Sequence, residues 1–293
     1  MHQSLREVCA PLIRILQIRT GFQLLTYGIF SVLILSRGVH GSHGEQIEDE
    51  REIMGDPHLR CDSCAVRHRA VCGALSRAEI ERLNQIAHHK LLPPGQIILH
   101  DNAEMPYFAN IISGVVKLTK TLTDGRQQIV GLQFPSDFLG RPFRSQSPYH
   151  AETVTDVHLC TYDKGQFERL VKEFDGFEHR LFEHTLDELD SAREWMLLLG
   201  RKSAGEKVAS FLLMVARRME TIGCKPSGLD DRPRFNLPLS RAEIADFLGL
   251  TIETVSRQIS RLKLAKIIGL EGSRTIVILD IARLQSAMEE ERD

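Results

Sequence analysis

Cys61, Cys64 and Cys72 fall within twelve residues at the spacing C-x2-C-x7-C, in a 293-residue chain that holds six cysteines in all. A thiolate is a soft ligand suited to iron–sulfur clusters, zinc or copper, and a two-residue gap lets a turn aim both sulfurs at one centre. The stretch therefore reads as a metal centre. Three cysteines leave it one ligand short, and the remaining ones are Cys9, Cys160 and Cys224. His68 lies between Cys64 and Cys72, so Cys61, Cys64, His68 and Cys72 also compose a Cys3His zinc set that asks nothing of Cys160. For Cys160, on an apolar run, the plainer reading is an inert core thiol. Clustered cysteines do not resemble a secreted disulfide framework and suggest a reducing cytoplasm. Cys9 has no assignable role, and Cys224, in a polar loop beside Lys225, reads as an idle surface thiol.

A second set of residues could read nucleic acid. Ser240-Arg-Ala-Glu243 is a capping box that opens a short helix with Ile244, Ala245, Phe247 and Leu248 apolar; Gly249 makes the turn, and Thr251 caps a second helix to about Lys263. Ile252, Val255, Ile259 and Leu262 are expected on its inner stripe, which leaves Glu253, Ser256 and Arg257, at i, i+3 and i+4, on the outer face. A recognition helix offers its first turns to the major groove in this way. Arg257 suits a bidentate contact to guanine N7/O6, Glu253 can accept from cytosine N4, and Ser256 can reach a base edge or a phosphate. Thr251 and Arg261, on the same helix, complete the candidate DNA contacts. Behind it, Ile267 to Leu270 and Thr275 to Leu279, joined by Glu271-Gly272-Ser273-Arg274, read as a β-hairpin wing. Residues 201–263 carry 12 Lys and Arg against 7 Asp and Glu in a chain whose net charge is −2, so the basic surface is local.

The length predicts about two domains. Residues 1–53 form an atypical extension: Phe22 to Leu35 is an apolar run of 14, shorter than the roughly 18 to 20 that a spanning helix needs, and no small-x-small cleavage site follows it. Met54 is the expected natural start, with a membrane-associating extension as the rival reading. Residues 54–75 form a cysteine-rich arm. Residues 76–89 open with a Ser76/Glu79 capping box and predict a short amphipathic helix. Short β-rich runs follow at 96–100, 110–114, 115–122, 127–134 and 157–162, with Asp124-Gly125 as a hairpin signal. They predict an antiparallel roll within 76–172, with Cys160 on its last strand. From about Asp175 to Leu199 one helix is expected, and Phe182, Thr185, Leu189, Ala192, Met196 and Leu199 recur at the a/d spacing of a coiled coil. This helix, within 173–202, is the expected dimer interface, weakened by Asp187, Glu188 and Asp190 at its edge. Ser203 to Glu206 caps another helix to about Glu220, the start of a winged helix-turn-helix over 203–293. No phosphate-binding glycine loop, zinc-protease motif or nucleophile elbow is present, which argues against an enzyme.

The cysteine stretch, DGRQQIVGLQFPSDFLGR (124–141), MLLLGRKSAGEKVASFL (196–212) and LGLTIETVSRQISRL (248–262) resemble the CRP/FNR superfamily of bacterial transcription regulators, over about residues 59–290. Within it the likeness is to the oxygen-sensing fumarate and nitrate reduction regulators, in the branch from nitrogen-fixing and photosynthetic bacteria. The resemblance implies an α+β chain: an antiparallel β-roll like a cyclic-nucleotide-binding jelly roll, a long dimerisation helix, and a winged helix-turn-helix. It implies an oxygen-labile [4Fe-4S] cluster on Cys61, Cys64, Cys72 and Cys160. In that family the E-x-x-S-R signature, here Glu253, Ser256 and Arg257, reads TTGAT, and dimers bind palindromic double-stranded operators of the form TTGAT-N4-ATCAA. The implied partners are a second copy of the chain and RNA polymerase, in the cytoplasm. Two features depart from known patterns of the superfamily, the first from its best-known oxygen sensor and the second from its cyclic-nucleotide branch. Seven residues rather than five separate Cys64 from Cys72, the extra length being expected in a flexible loop. The stretch Phe138 to Arg144 has no glutamate after its glycine, so cyclic-nucleotide binding is not expected.

Overall fold

The computed structural model of the chain describes residues 61–220 and 232–289. The extension 1–53, Met54, Cys9 and Cys224 lie outside them. Among the described residues no helix is long and apolar enough to cross a membrane.

The chain enters through two 3₁₀ turns, Cys61–Ser63 and Val71–Ala74, and then α1 (Arg77–Asn84). The capping box at its start is formed: Ser76 N–H donates to Glu79 Oε2 at 2.8 Å and Glu79 N–H to Ser76 Oγ at 3.4 Å. The helix stops at Asn84 instead of running to His89, because residues 87–92 are taken by a sheet. That strand, β1 (Ala87–Leu92), pairs antiparallel with the last strand of the roll from Ala87↔Tyr162 to Leu92↔Val157. Local amphipathicity extended the helix in the sequence reading; pairing with a buried strand overrides it.

The remaining roll strands are β2 (Ile97–Leu99), β3 (Tyr107–Ser113), β4 (Val116–Thr121), β5 (Gln127–Gln133), β6 (Phe138–Leu139), β7 (His150–Thr153) and β8 (Val157–Asp163). They form two four-stranded sheets, ordered β1-β8-β3-β6 and β2-β7-β4-β5. Five strands coincide with the sequence runs; β1, β6 and β7 do not. The last two are too short to show a period, and only their neighbours make them strands. The Asp124-Gly125 hairpin is present between β4 and β5, with Gly125 at φ 87°. Gly114, which joins β3 to β4, stands at φ 87°, and a Cβ there would lie 2.2 Å from the carbonyl oxygen of Asp156. Gly114→Ala combines left-handed strain with an immovable backbone clash, and is expected to cost about 2 to 5 kcal/mol in urea unfolding.

After the roll comes α2 (Lys164–Glu173), absent from the sequence reading, although Asp163 caps it by accepting from Gln166 N–H at 2.9 Å. The long helix α3 (Asp175–Arg201) and α4 (Ala204–Glu220) follow. The C-terminal part contains β9 (Arg234–Asn236), α5 (Arg241–Leu248), α6 (Ile252–Leu264), β10 (Ile268–Glu271), β11 (Thr275–Ile278) and α7 (Ile281–Ser286). The wing has the expected hairpin plus a third strand, β9, on its edge.

Two apolar cores hold these parts. One is the roll interior, which also takes in Ala70, Val71 and Cys72 of the arm and Phe177 of α3. The other lies around α4, α5 and α6 and reaches into the roll through Val115, Ile129 and Phe134. Trp195 of α3 stacks on Phe247 of α5 with ring centroids 4.2 Å apart. Lys117 Nζ, on β4, lies 2.9 Å from both Glu152 of β7 and Glu243 of α5. The roll and the C-terminal part are therefore joined by packing and by a bridged cation.

Candidate metal centre and nucleic-acid interface

The arm is wound tightly. Backbone bonds run from Arg67 N–H to Cys64 O (3.2 Å), Ala70 N–H to Val66 O (3.0 Å) and Gly73 N–H to Ala70 O (2.9 Å). Gly73 allows this path, since a Cβ would lie 2.7 Å from the carbonyl oxygen of Arg67. The segment between Cys64 and Cys72 is thus not a loose loop, contrary to expectation: Val66, Ala70 and Val71 are buried, and apolar anchoring holds it down. Its far side meets α3, where the Arg69 carbonyl accepts from Arg180 (3.4 Å) and from His184 Nε2 (2.9 Å).

All four cysteines named from the sequence are thiols rather than disulfides, with Cys72 and Cys160 buried. Cys61 Sγ donates to Asn84 Oδ1 at 3.2 Å. Cys160 Sγ lies 3.1 Å from Tyr162 Oη. The Asn110 amide spans the two sides, donating to Tyr162 Oη at 3.1 Å and to Cys72 Sγ at 3.9 Å. Burial first, and then the charges of Cys64 and Cys61, push Cys72 up to about 12. Cys160 is likewise raised to about 12 by burial, with Cys61, Cys72 and Cys64 each adding to it against the Tyr162 hydrogen bond. Cys72 and Cys160 thus sit in the low-dielectric interior, while Cys61 and Cys64 are only half-buried. The Cys72 and Cys160 thiols stay protonated unless a cation takes the proton's place.

Among the described residues no three His, Cys, Asp or Glu side chains close on a point that could hold a single metal ion. His68 is exposed. A tetrahedral zinc with Zn–S of about 2.3 Å needs its sulfurs about 4 Å apart. A cluster in which each thiolate binds its own iron asks for wider spacing. Four thiols, two of them buried and hydrogen-bonded to Asn110 and Tyr162, fit that group by donor chemistry.

In the C-terminal part, Ser240 caps α5 with its capping box formed, and Ile244, Ala245, Phe247 and Leu248 are buried as expected. Gly249 ends the helix at φ 62°, ψ 43°, the left-handed cap that glycine supplies without cost. Thr251 caps α6, accepting from Thr254 N–H at 3.2 Å. Val255, Ile259 and Leu262 are buried, but Ile252 is 48% exposed and Gln258 takes its place on the inner stripe. The first turn projects past the core, so the apolar period does not bury its first member. Glu253, Ser256 and Arg257 share the exposed face with Thr251 and Arg261. Hydrogen bonds from its own backbone amide and from Thr251 hold Glu253 below the usual carboxylate range, so it is an acceptor at neutral pH.

Comparison with known proteins agrees with the roll and the helix-turn-helix. Residues 206–287 match the model of the Crp-like helix-turn-helix domain, and residues 89–174 that of the cyclic nucleotide-binding domain. The chain is 45% identical over 225 residues to the transcriptional activator protein FnrL of Cereibacter sphaeroides, covering 77% of this chain and 90% of that one. The chain belongs to the CRP/FNR family. A probable transcriptional activator of Rhizobium leguminosarum bv. viciae is also 45% identical, over 78% of this chain and 92% of its own. The solved structure of FixK2 from Bradyrhizobium japonicum superposes with a TM-score of 0.63 at 32% identity, covering 71% of this chain and all of that one. Like these CRP/FNR relatives, the protein is a DNA-binding transcription regulator and not an enzyme.

On this CRP/FNR chain, α3 leaves an apolar stripe uncovered. Phe182 (59% exposed), Leu189 (44%) and Met196 (73%) lie on it with Thr185 and Ala192, and Leu186 joins them. Leu199 instead packs against the C-terminal core. Asp190 is paired with Arg193 at 3.0 Å. Desolvation beside the roll and then the nearby Asp137 raise Glu188 to about 7, although the residue as a whole is exposed. Asn84, Asn110, Tyr162, Arg180 and His184 were not singled out in the sequence. The alternation along β8, which sets Tyr162 on the face of Cys160, was the available signal; Asn110 needed the β3–β8 register, which places it opposite Cys160.

Proposed function

We propose that this protein is an oxygen-responsive transcriptional regulator whose Cys61, Cys64, Cys72 and Cys160 hold a [4Fe-4S] cluster and whose dimer binds TTGAT-N4-ATCAA-like operators. The observation that supports the reading is the buried link from arm to roll, in which Asn110 reaches both Cys72 Sγ and the Tyr162 hydroxyl that touches Cys160 Sγ, while the arm also meets the helix that bears the uncovered stripe. When bound, the group supplies an oxygen-sensitive tie between arm and roll.

The chain's own residues turn that tie into a signal. Cys61, Cys64 and Cys72 draw the arm onto the face of β8 that carries Cys160. The arm then presents the Arg69 carbonyl to Arg180 and His184, and Ala70 and Val71 to the core that includes Phe177. The N-terminal half of α3 is thereby held in one position, and a ligand specific to one conformation shifts the population towards it. Two copies pairing through Phe182, Leu189 and Met196 set their α6 helices about one DNA turn, roughly 34 Å, apart. Without the tie the arm keeps its apolar and Arg69 contacts and its thiol hydrogen bonds to Asn84 and Asn110, and Cys72 and Cys160 return to neutral thiols. RNA polymerase is the proposed partner and the cytoplasm the proposed location. Cyclic nucleotide is not proposed as a ligand, since the turn after Gly140 carries Arg141-Pro-Phe and no carboxylate.

Protein purified without oxygen is expected to be brown, with iron and acid-labile sulfide in equal amounts. Colourless protein carrying one zinc would favour the Cys3His reading instead. For the seam, Leu189→Glu removes an apolar contact from each subunit, worth about 3 kcal/mol or more across the pair, or over a hundredfold in dimer Kd. Sedimentation of the iron-loaded variant should show monomer at concentrations where the parent is a dimer.

A further inference from the structure

We infer that Tyr162 and Asn110 are positioning residues of the cluster site: the tyrosine hydroxyl donates a hydrogen bond to the ligated sulfur of Cys160, and the asparagine amide donates one to that of Cys72. The inference rests on the proposed cluster and adds how the chain tunes it. Both side chains are almost wholly buried, at 1% and 2% exposure, so their polar atoms were not placed there for contact with water. Asn110 has two N–H donors. One reaches Tyr162 Oη at 3.1 Å and the other Cys72 Sγ at 3.9 Å. Its carbonyl Oδ1 is buried with no partner. An unmatched buried acceptor is a cost, and an apolar side chain of similar size would avoid it. What the asparagine contributes in return is its two donors, directed at a thiol and at a hydroxyl that itself touches a thiol.

Tyr162 Oη stands between Asn110 and Cys160, 3.1 Å from each. With the Asn110 N–H pointing at the oxygen, the hydroxyl proton is free to turn towards sulfur. While Cys160 carries a proton, its S–H donates to the hydroxyl oxygen. Once the sulfur is a ligated thiolate it has no proton to give, and the same 3.1 Å contact survives by reversal, with O–H donating to sulfur. A hydroxyl can make that exchange with no movement of heavy atoms, so the pocket suits both states. Hydrogen bonds to ligating sulfurs withdraw charge from them and hold their orientation, which governs the stability and potential of such centres.

The test uses the full-length protein prepared without oxygen. Tyr162→Phe keeps the ring that packs on Phe167 and removes only the hydroxyl; Asn110→Leu keeps the volume and removes the amide. Each variant is expected to take up iron and sulfide, to release iron to excess chelator about 10 to 100 times faster than the parent, and to shift the thiolate-to-iron charge-transfer absorption, which a purely structural role would leave in place. The double variant should release iron more slowly than the product of the two single effects, because the amide acts partly through the hydroxyl. Parental release rates and spectra in both variants would overturn the assignment while leaving the cluster standing. Parent protein free of iron would overturn the cluster reading and this assignment with it.

Discussion

Cys160→Ser, purified without oxygen, is expected to be colourless and to lack iron and sulfide, while its unfolding stays close to that of the parent stripped of iron. Serine replaces a soft sulfur with a hard oxygen, which soft iron–sulfur chemistry disfavours. The substitution is otherwise mild. The residue is 6% exposed in the roll core, and the new hydroxyl keeps a partner in Tyr162, which already stands 3.1 Å from this position. Stability is therefore expected to change by about 1 kcal/mol, the usual scale for a point substitution without a cavity. The contrast between lost metal and retained fold separates the two metal readings. A Cys3His zinc site built on Cys61, Cys64, His68 and Cys72 would survive the change, and zinc retained by the variant would sink the role assigned to Cys160.

Arg257→Ala is expected to abolish specific DNA retention with little effect on general affinity. Arg257 lies exposed on α6 beside Glu253 and Ser256, on the face opposite the buried Val255, Ile259 and Leu262. A bidentate arginine–guanine contact is worth about 1 to 3 kcal/mol of discrimination, and a dimer makes it twice. The loss is then about 2 to 6 kcal/mol, at least roughly thirtyfold in Kd. Fluorescence anisotropy with a TTGAT-N4-ATCAA duplex and with one whose guanines are replaced measures it. The variant should bind both duplexes as the parent binds the second. A variant that still prefers the first duplex would remove Arg257 from base reading.

The helix-turn-helix was readable because its signals are local. The Ser240/Glu243 box, the left-handed Gly249 and the Thr251 cap each settle a few bonds among neighbours in the chain, and all three are formed as expected. The exception, Ile252, shows the limit of periodicity: the pattern states which residues share a face, but not where the core ends. The roll was legible where strands carried apolar runs and illegible in β1, β6 and β7. There, strand structure is imposed by pairing with residues far away in the chain, as when β8 takes 87–89 from an expected amphipathic helix.

By itself the sequence determined the donor chemistry of the arm, the caps and face of the DNA-reading helix, and the apolar spacing along α3, because each depends on residues within one or two helical turns. Only the tertiary structure decided that Cys160 shares a pocket with Cys72, that Asn110 and Tyr162 stand between them, and that the arm rests on α3 through Arg69. Apart from Tyr162, two positions from Cys160 on β8, those relations join residues 38 to 115 positions apart, and a sheet register and a packed core, not chain proximity, bring them within bonding distance.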